Sequence, residues 1–405
     1  MVRLSSRLWF GLAAVLALAI AGYALLRPRE SFSTTPVKAA KVSPNTATSV
    51  SGLDDWMMEG GNPARTRARS EGITLPIKQQ RELQVAGDQG AGSPIAIANN
   101  TILVEAEHRL RAIDLSSGKE RWSFAENGTY ISPAAAGDTV YIRAEADNKG
   151  QVFALDLQTG KQRWAFTPKR LSSAATGYWG GHLTSPVIAN GVAFIGAGKE
   201  LYALDAASGA VRWEYDALDY LSSSATVGDG RVFFSDSEEV YAIDQRSGTL
   251  AWKVATHFEP YFSPIIANQT VFLTSGDNLL ALNTADGTKR WETSMPGEVL
   301  LPGAVQGQRL FVKSTTTLHA LDLATGRELW HFDPSGFISF PAVAGEQLFA
   351  ITGGPGQMSV AVLDVNTGRR LWDAPNPALA AAAPVIAGQT LYVRTTDGRV
   401  LGLFN

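Results

Sequence analysis

The sequence predicts an all-β fold, a propeller of eight four-stranded antiparallel blades preceded by one N-terminal hydrophobic helix. Three observations predict the propeller. One motif recurs seven times, each repeat divides into four strand-like segments, and a further strand-like segment ahead of the first repeat completes the last one. Repeats of roughly 40–50 residues with several strands in each unit are typical of propellers.

The recurring motif reads A-x-D-x-x-x-G-x-x-x-W, and its first copy is AIDLSSGKERW. Its tryptophans follow one another at the nearly regular period of such a repeat. An enzyme needs one active site, so a motif present seven times is predicted to be structural. The Asp (or Asn), Gly and Trp of the seven copies are Asp114, Gly118, Trp122; Asp156, Gly160, Trp164; Asp205, Gly209, Trp213; Asp244, Gly248, Trp252; Asn283, Gly287, Trp291; Asp322, Gly326, Trp330; and Asp364, Gly368, Trp372.

Each motif position has a predicted structural role. The Asp ends the third strand, where its carboxylate can accept hydrogen bonds from backbone N–H groups of the turn. The Gly supplies a positive φ. The Trp lies on the outer strand, where its ring fills the seam between neighbouring blades and its N–H reaches a polar partner.

The fifth repeat illustrates the four strands of a blade. Residues 263–293 open with Ser-Pro and a short apolar run, and the segments TVFLTS, LLALN and TKRWET follow. Turns rich in Asn, Asp and Gly separate these segments, as expected for consecutive antiparallel strands.

The last repeat lacks an outer strand, because only three strand-like segments lie between Trp372 and the final residue, Asn405. In five other repeats the distance from the motif Trp to the Pro that opens the next blade is nearly constant, as from Trp122 to Pro133. The same distance counted back from Pro94 reaches Leu83.

We therefore predict that residues 77–85 form the outer strand of blade 8, with Leu83 in the position of the motif Trp. Closing the ring in this way removes exposed sheet edges.

The N-terminal region is predicted to be separate from the propeller, which spans residues 53–405. Residues 8–26 carry no charge and are long enough for a helix to cross the hydrocarbon core. Residues 1–29 are therefore predicted to be a membrane anchor, and the alternative is a cleaved signal sequence ending at Ala19-Ile20-Ala21. Residues 30–52 are rich in Ser, Thr, Pro and Ala and are predicted to be a flexible linker. Either alternative places the propeller outside the cytoplasm.

Composition excludes several functions. The net charge is −3, and it becomes −7 without residues 1–29, which hold four arginines and no acidic residue. A negative body without Lys/Arg runs argues against nucleic-acid binding. The chain has no cysteine, which excludes disulfides, thiol catalysis and cysteine-based metal sites. His108, His319 and His331 have no metal-ligand spacing in the chain and are predicted to be packed or solvated.

The motif resembles the tryptophan-docking motif of pyrroloquinoline-quinone-type (PQQ-like) propellers, and the resemblance covers residues 53–405. It implies one of two classes of protein. Quinoprotein dehydrogenases hold PQQ and calcium in the central funnel. Non-catalytic scaffolds are similar to the outer-membrane propeller lipoprotein of the barrel-assembly machinery.

The short repeats, the lack of a Cys–Cys pair and the lack of clustered acidic residues favour the second class. We therefore predict a monomeric, non-catalytic propeller that has no cofactor. We expect it to bind proteins of the cell envelope and to be tethered to the membrane by its N-terminal helix. The alternatives are a PQQ- and calcium-dependent dehydrogenase and a ligand-sensing propeller. The chain departs from the lipoprotein pattern because it has no lipobox cysteine.

The connections from one outer strand to the next blade are the candidate working surface, because several carry aromatic residues beside glycine. Such residues suit a protein-binding rim, since Tyr and Trp are strong interface anchors. The other interpretation is that they plug the mouth of the channel or cover strand ends. The candidates are Tyr178, Trp179 and His182 in the longest connection, Phe258, Tyr261 and Phe262 in a second, and Phe337 in a third.

Overall fold

A computed structural model describes residues 56–83, 85, 94–125, 129–130, 132–146, 149–169, 184–256, 262–295, 297–334 and 336–405. These residues form eight antiparallel β-sheets, as predicted. The predicted N-terminal helix, the linker and residues 53–55 lie outside the described residues. In the part of the chain that is described, no helix is long and apolar enough to cross a membrane.

Each sheet is one blade, and its first strand lies nearest the axis, since the first strands of successive blades contact one another. The strands of blades 1 to 8, from the inside outwards, are Ala96–Ala98, Thr101–Ala106, Arg109–Asp114, Glu120–Phe124; Ala134–Ala136, Thr139–Ala146, Lys149–Asp156, Gln162–Phe166; Val187–Ala189, Val192–Ala197, Glu200–Asp205, Val211–Asp216; Thr226–Gly228, Arg231–Ser235, Glu239–Asp244, Leu250–Ala255; Ile265–Ala267, Thr270–Ser275, Asn278–Asn283, Lys289–Ser294; Leu301–Gln306, Arg309–Lys313, Leu318–Asp322, Glu328–Phe332; Ala342–Ala344, Gln347–Gly354, Gln357–Asp364, Arg370–Pro375; and Val385–Ala387, Thr390–Arg394, Val400–Phe404, Gln79–Leu83.

Three short strands extend this pattern. Thr129–Tyr130 pairs with the second strand of blade 2, and Phe337–Ile338 pairs with the second strand of blade 7. Ala68–Arg69 runs parallel to the first strand of blade 7.

The core lies in the seams between blades. Every residue of the second strand of blade 5, Thr270–Ser275, is buried, because neighbouring blades cover both faces of the sheet. One apolar cluster joins Phe233 and Trp252 of blade 4 to Val271 and Leu280 of blade 5. Continuous apolar runs in the sequence therefore mark strands that are buried on both faces.

Blade 8 is closed by the strand Gln79–Leu83, which lies within residues 77–85 and pairs antiparallel with Val400–Phe404. The register corrects one detail of the sequence prediction. In blade 1 the residues Ala96, Leu103, Ala112 and Trp122 pair in one row across the sheet.

The matching row in blade 8 is Val385, Tyr392, Gly402 and Arg81. Arg81, not Leu83, therefore takes the position of the motif Trp. Counting back from Pro94 gave the wrong residue because the connection from blade 8 to blade 1 is longer than the connection from Trp122 to Pro133.

The antiparallel order of the strands gives the propeller two different faces. The turns between first and second strands and between third and fourth strands share one face, here called the motif face, since the motif Asp and Gly lie there. The turns between second and third strands and the connections to the next blade share the opposite face, here called the connection face. Of the candidate residues, Phe262 and Phe337 belong to the connection face.

Residues 56–69, here called the head segment, run around the axis along the inner strands. Its carbonyl groups accept hydrogen bonds from the N–H group of the central inner-strand residue in five blades, and from Val305 in blade 6. The pairs are Ile97 with Trp56, Ala135 with Met57, Val227 with Pro63, Ile266 with Ala64, Val305 with Thr66 and Val343 with Arg67, at 2.8–3.0 Å. The head segment therefore joins six blades around the axis.

Candidate functional site

The motif tryptophans join neighbouring blades. In six seams the indole N–H donates to the carbonyl of the residue that follows the motif Asp or Asn of the next blade, at 2.9–3.1 Å. The pairs are Trp122 with Leu157, Trp164 with Ala206, Trp213 with Gln245, Trp252 with Thr284, Trp291 with Leu323 and Trp330 with Val365. The motif therefore holds neighbouring blades together at these seams.

The motif Asp residues order the turns of the motif face. Asp156 Oδ1 accepts hydrogen bonds from the backbone N–H of Thr159 at 2.9 Å and from its hydroxyl at 2.8 Å. Arg163, directly before the motif Trp, donates to Asp156 Oδ2 at 2.7 Å. This guanidinium, with the Thr159 bonds, lowers the pKa of Asp156 to about 2. Asn283 makes an equivalent turn, because its Oδ1 accepts from the N–H of Ala285 at 3.0 Å.

The seam between blades 8 and 1 uses other residues. Arg81 donates to the carbonyls of Leu115 at 2.7 Å and Ser116 at 2.5 Å. Leu115 follows the motif Asp of blade 1, so its carbonyl is the one that a motif Trp would reach. A Cβ placed on Gly118 would lie 3.6 Å from Leu83. Arg81 and Leu83 together replace the missing tryptophan.

Of the remaining candidate residues, the structure describes Phe262 and Phe337, which lie on the connection face. Tyr178, Trp179, His182, Phe258 and Tyr261 lie outside the described residues. Phe262 is 39% exposed and its ring lies 5.6 Å from that of Phe340. Phe337, on the short strand of blade 7, lies at the same face.

A basic and aromatic cluster brings these phenylalanines together. The Lys313 ammonium lies 5.2 Å from the centre of the Phe337 ring and 5.1 Å from that of Phe340. The Arg67 guanidinium lies 5.2 Å from the Phe340 ring centre. These distances suit cation–π attraction. Burial lowers the pKa of Lys313 to about 8.

A central cavity of about 230 Å³, here called the cup, lies beside this cluster. The head segment contributes Trp56, Glu59, Gly60, Arg65 and Arg67 to its lining. The blades contribute Pro94, Ile95, Phe262, Ser263, Ile265, Pro302, Phe340, Ala381, Ala382, Ala383, Val385, Tyr392 and Arg394. Most of these residues begin inner strands or precede them, which places the cup at the connection face.

Glu59 is the carboxylate of the cup, and basic residues surround it. Its Oε2 lies 3.4 Å from Arg65 Nη1, and its Oε1 lies 3.9 Å from Arg67 Nη2. The Ser185 hydroxyl also donates to Glu59 at 2.8 Å. Burial alone would raise the pKa of Glu59, but the two guanidinium groups and this hydrogen bond together lower it.

Leu218, in the connection after blade 3, is a candidate that the aromatic pattern missed. Its side chain is 62% exposed, the largest exposure among the large hydrophobic residues of the described chain. The only sequence signal is one leucine between two aspartates in the run DALDY. Exposure depends on the path of the loop, which this pattern does not specify.

Strand pairing brings together histidines that are distant in sequence. His319 lies opposite His331 on the third and fourth strands of blade 6. Its Nε2 lies 3.1 Å from Glu298 and its Nδ1 3.3 Å from Glu328. No three acidic or histidine side chains within the described ranges are arranged to hold a metal ion.

One protein family matches the sequence over most of the propeller. The family model described as outer membrane protein assembly factor BamB matches residues 66–215, 148–300 and 296–405. A search of curated proteins finds no match.

Two groups of solved structures resemble the propeller. BamB from Moraxella catarrhalis has a TM-score of 0.62 at 15% identity, covering 82% of this chain and 100% of that chain. Quinohemoprotein alcohol dehydrogenase from Comamonas testosteroni has a TM-score of 0.65 at 14% identity, covering 86% and 80%. A europium-containing methanol dehydrogenase has a TM-score of 0.65 at 12% identity, covering 87% and 98%.

At these identities the solved structures show the shared fold alone. The family model, which matches most of the chain, shows more: with its tryptophan-docked eight-bladed ring, the chain belongs to the PQQ-like propeller family described as outer membrane protein assembly factor BamB.

Proposed function

We propose that the protein is a non-catalytic scaffold that binds other proteins of the cell envelope through its connection face. The observation that carries this proposal is Leu218, a 62% exposed leucine on an anchored loop. An exposed apolar side chain on a loop with a fixed backbone favours binding, because little backbone entropy is lost on association.

Polar contacts anchor the loop around Leu218. Lys199 Nζ donates to the Leu218 carbonyl at 2.8 Å and lies 3.7 Å from Asp219 Oδ1. The Leu218 N–H donates to the Tyr241 hydroxyl at 3.3 Å, and the Ser237 hydroxyl donates to Asp219 at 2.6 Å. These bonds fix the backbone and leave the leucine side chain outside.

The quinone alternative has the support of the dehydrogenase structures, which share the fold. The described residues of the cup do not fit PQQ with calcium. Calcium takes six to eight oxygen ligands, but Glu59 is the one carboxylate among the described lining residues, and it is paired with Arg65 and Arg67. The cup, at about 230 Å³, is also smaller than the roughly 300–1,000 Å³ of typical ligand pockets.

An envelope location is supported by the family and by the sequence. The matching family is named after an outer membrane protein assembly factor, BamB. The uncharged segment 8–26 is long enough to anchor the propeller to a membrane. We propose an anchor because the chain has no cysteine to carry a lipid in the manner of a lipoprotein.

The test uses the full-length chain in membranes with a photoreactive amino acid at position 218. The matched control places it at Ala207, an exposed residue of the same blade on the motif face. We expect a discrete cross-linked envelope protein from position 218 and not from position 207. The same partner should be lost from purified complexes of Leu218→Asp and retained by Ala207→Asp.

Two results would contradict the proposal. Equal cross-linking from both positions would remove the connection face from the binding function. Reduction of a dye by the purified protein with alcohols or sugars, dependent on added PQQ and calcium, would establish the dehydrogenase alternative.

A further inference from the structure

We infer that the cup binds an acidic side chain of a partner polypeptide, a carboxylate inserted from the connection face. This inference rests on the proposed scaffold function and adds a second contact to that of Leu218. It is carried by the arrangement of Arg65, Arg67 and the aromatic rim around one small cavity.

The cup is basic although the protein is acidic. Its described lining holds Arg65 and Arg67 beside one carboxylate, Glu59, together with Arg394, which interacts electrostatically with Glu105. Outside residues 1–29 the chain carries a net charge of −7. A basic cavity in an acidic body selects an anionic group and repels cations, which favours specificity.

Two hydrogen bonds hold the Arg65 side chain in place, and they leave its Nη2 group available to a ligand. Its Nε donates to the Ala225 carbonyl at 3.0 Å and its Nη1 to the Glu59 carbonyl at 3.2 Å. Its side chain is only 4% exposed, and its Nη2 has no hydrogen-bond partner among the described residues. A buried donor without a partner is costly, and a carboxylate would satisfy it.

Arg67 adds a second guanidinium, which makes no side-chain hydrogen bond to the residues that the structure describes. It stacks on Phe340 and lies 3.9 Å from Glu59, which is an ion-pair distance and not a hydrogen bond. Stacking on a ring leaves the edge of a guanidinium available for a planar carboxylate.

The size and rim of the cup favour a side chain over a free small molecule. About 230 Å³ is too small for a typical organic ligand but sufficient for one inserted side chain. The lining includes the exposed residues Pro94, Phe262 and Ala381, so its edge continues into the connection face. A partner docked on that face would pack on Phe262 and Phe340 while its carboxylate entered the cup.

The test measures binding of a fluorescent peptide of alternating Glu and Phe by anisotropy, using the whole purified protein. The control peptide replaces each Glu by Gln. We expect the Glu peptide to bind, the Gln peptide to bind at least tenfold more weakly, and added salt to weaken the Glu complex.

Matched variants identify the site. Arg67→Gln should weaken binding of the Glu peptide at least tenfold. Arg370→Gln is the control, because Arg370 also stacks on a phenylalanine, Phe332 at 5.3 Å, and pairs with an acid, Asp373 at 3.2 Å, but lies on an outer strand. Arg370→Gln should change the affinity less than twofold.

A measurement on the unmodified protein covers the case in which Arg67→Gln does not fold. A photoreactive Glu–Phe peptide should cross-link to Phe262 or to Ala382 of the cup lining. Three results would each overturn the inference. They are cross-links only to residues outside the cup, no binding of the Glu peptide, and an equal loss of peptide affinity in the two arginine variants.

Competition experiments distinguish a carboxylate of a polypeptide from that of a free small molecule. PQQ and citrate are added as competitors of the Glu peptide. Stoichiometric binding of PQQ without binding of the Glu peptide would overturn the assignment to a polypeptide. Failure of the peptide test would leave the cross-link from position 218 intact, so the two proposals fail separately.

Discussion

The indole of Trp252 packs so closely on Gly287 of the next blade that a Cβ atom on this glycine would lie 2.8 Å from the ring. Gly287 also has a φ of 73°, which other residues adopt at a cost. The close contact lets the Trp252 N–H reach the Thr284 carbonyl at 3.0 Å. The seam therefore depends on both residues. The Trp252 ring fills the space between the blades, and Gly287 has no side chain to block it.

Replacing Trp252 by alanine should lower the free energy of unfolding by about 3–5 kcal/mol, the usual range for removing a buried tryptophan. Trp252 is 2% exposed. The control is Trp372→Ala, because Trp372 is only partly buried and blade 8 has no motif Gly to receive it. That change should cost about 1–3 kcal/mol. Denaturant unfolding measures both, and equal costs would contradict the role of the seam.

Replacing Arg81 by alanine should weaken the closure of the ring. The change removes two hydrogen bonds from a charged group to the carbonyls of Leu115 and Ser116, each worth roughly 1.5–3 kcal/mol. Arg399→Ala, on the same sheet, removes surface ion pairs to Glu82 and Asp397 and should cost less than about 1 kcal/mol. Thermal unfolding tests this, and a larger loss in Arg399→Ala would exclude Arg81 as the closing contact.

Arg81 also shows where the sequence stops predicting the fold. The seven-fold repeat predicts the seams that use tryptophan, since Gly and Trp recur at fixed spacing. Arg81 makes the same contact with different chemistry, so no motif marks it. The path of the head segment was not predicted either, because it is held by backbone hydrogen bonds that leave no residue pattern. Arg65 and Arg67 enter the cup only through that path.

Replacing Arg163 by leucine should destabilise the protein in a manner that depends on pH. Arg163 pairs with two carboxylates, Asp156 and Asp138. It lowers the folded-state pKa of Asp156 to about 2, from 3.8, and it also lowers the pKa of Asp138. A lowered carboxylate pKa contributes stability above pH 3.8, and this contribution is lost as the pH falls through about 2. The difference in unfolding free energy between wild type and Arg163→Leu should therefore be largest above pH 3.8 and disappear below about pH 2.

Arg290→Leu is the matched control for Arg163→Leu. Arg290 also precedes a motif Trp, but the motif of its blade has the uncharged Asn283 in place of Asp. Its effect on stability should not change over the same pH range. A change equal to that of Arg163→Leu would show that the pH dependence does not arise from the Asp156 pair.

Replacing Lys313 by methionine should change the alkaline part of the stability profile. Burial lowers the folded-state pKa of Lys313 from 10.5 to about 8. A lysine with a lowered pKa destabilises the folded state while it is charged in the native protein. This penalty decreases as the pH rises from about 8 to 10.5, because the folded state then releases a proton that the unfolded state retains.

Wild type should therefore gain stability relative to Lys313→Met across this range. The gain should be at most about 3 kcal/mol, and smaller to the extent that Phe337 and Phe340 stabilise the ammonium by cation–π attraction. Urea unfolding at pH 7 and at pH 10 measures it, and a constant difference between the two proteins would show that Lys313 is well solvated.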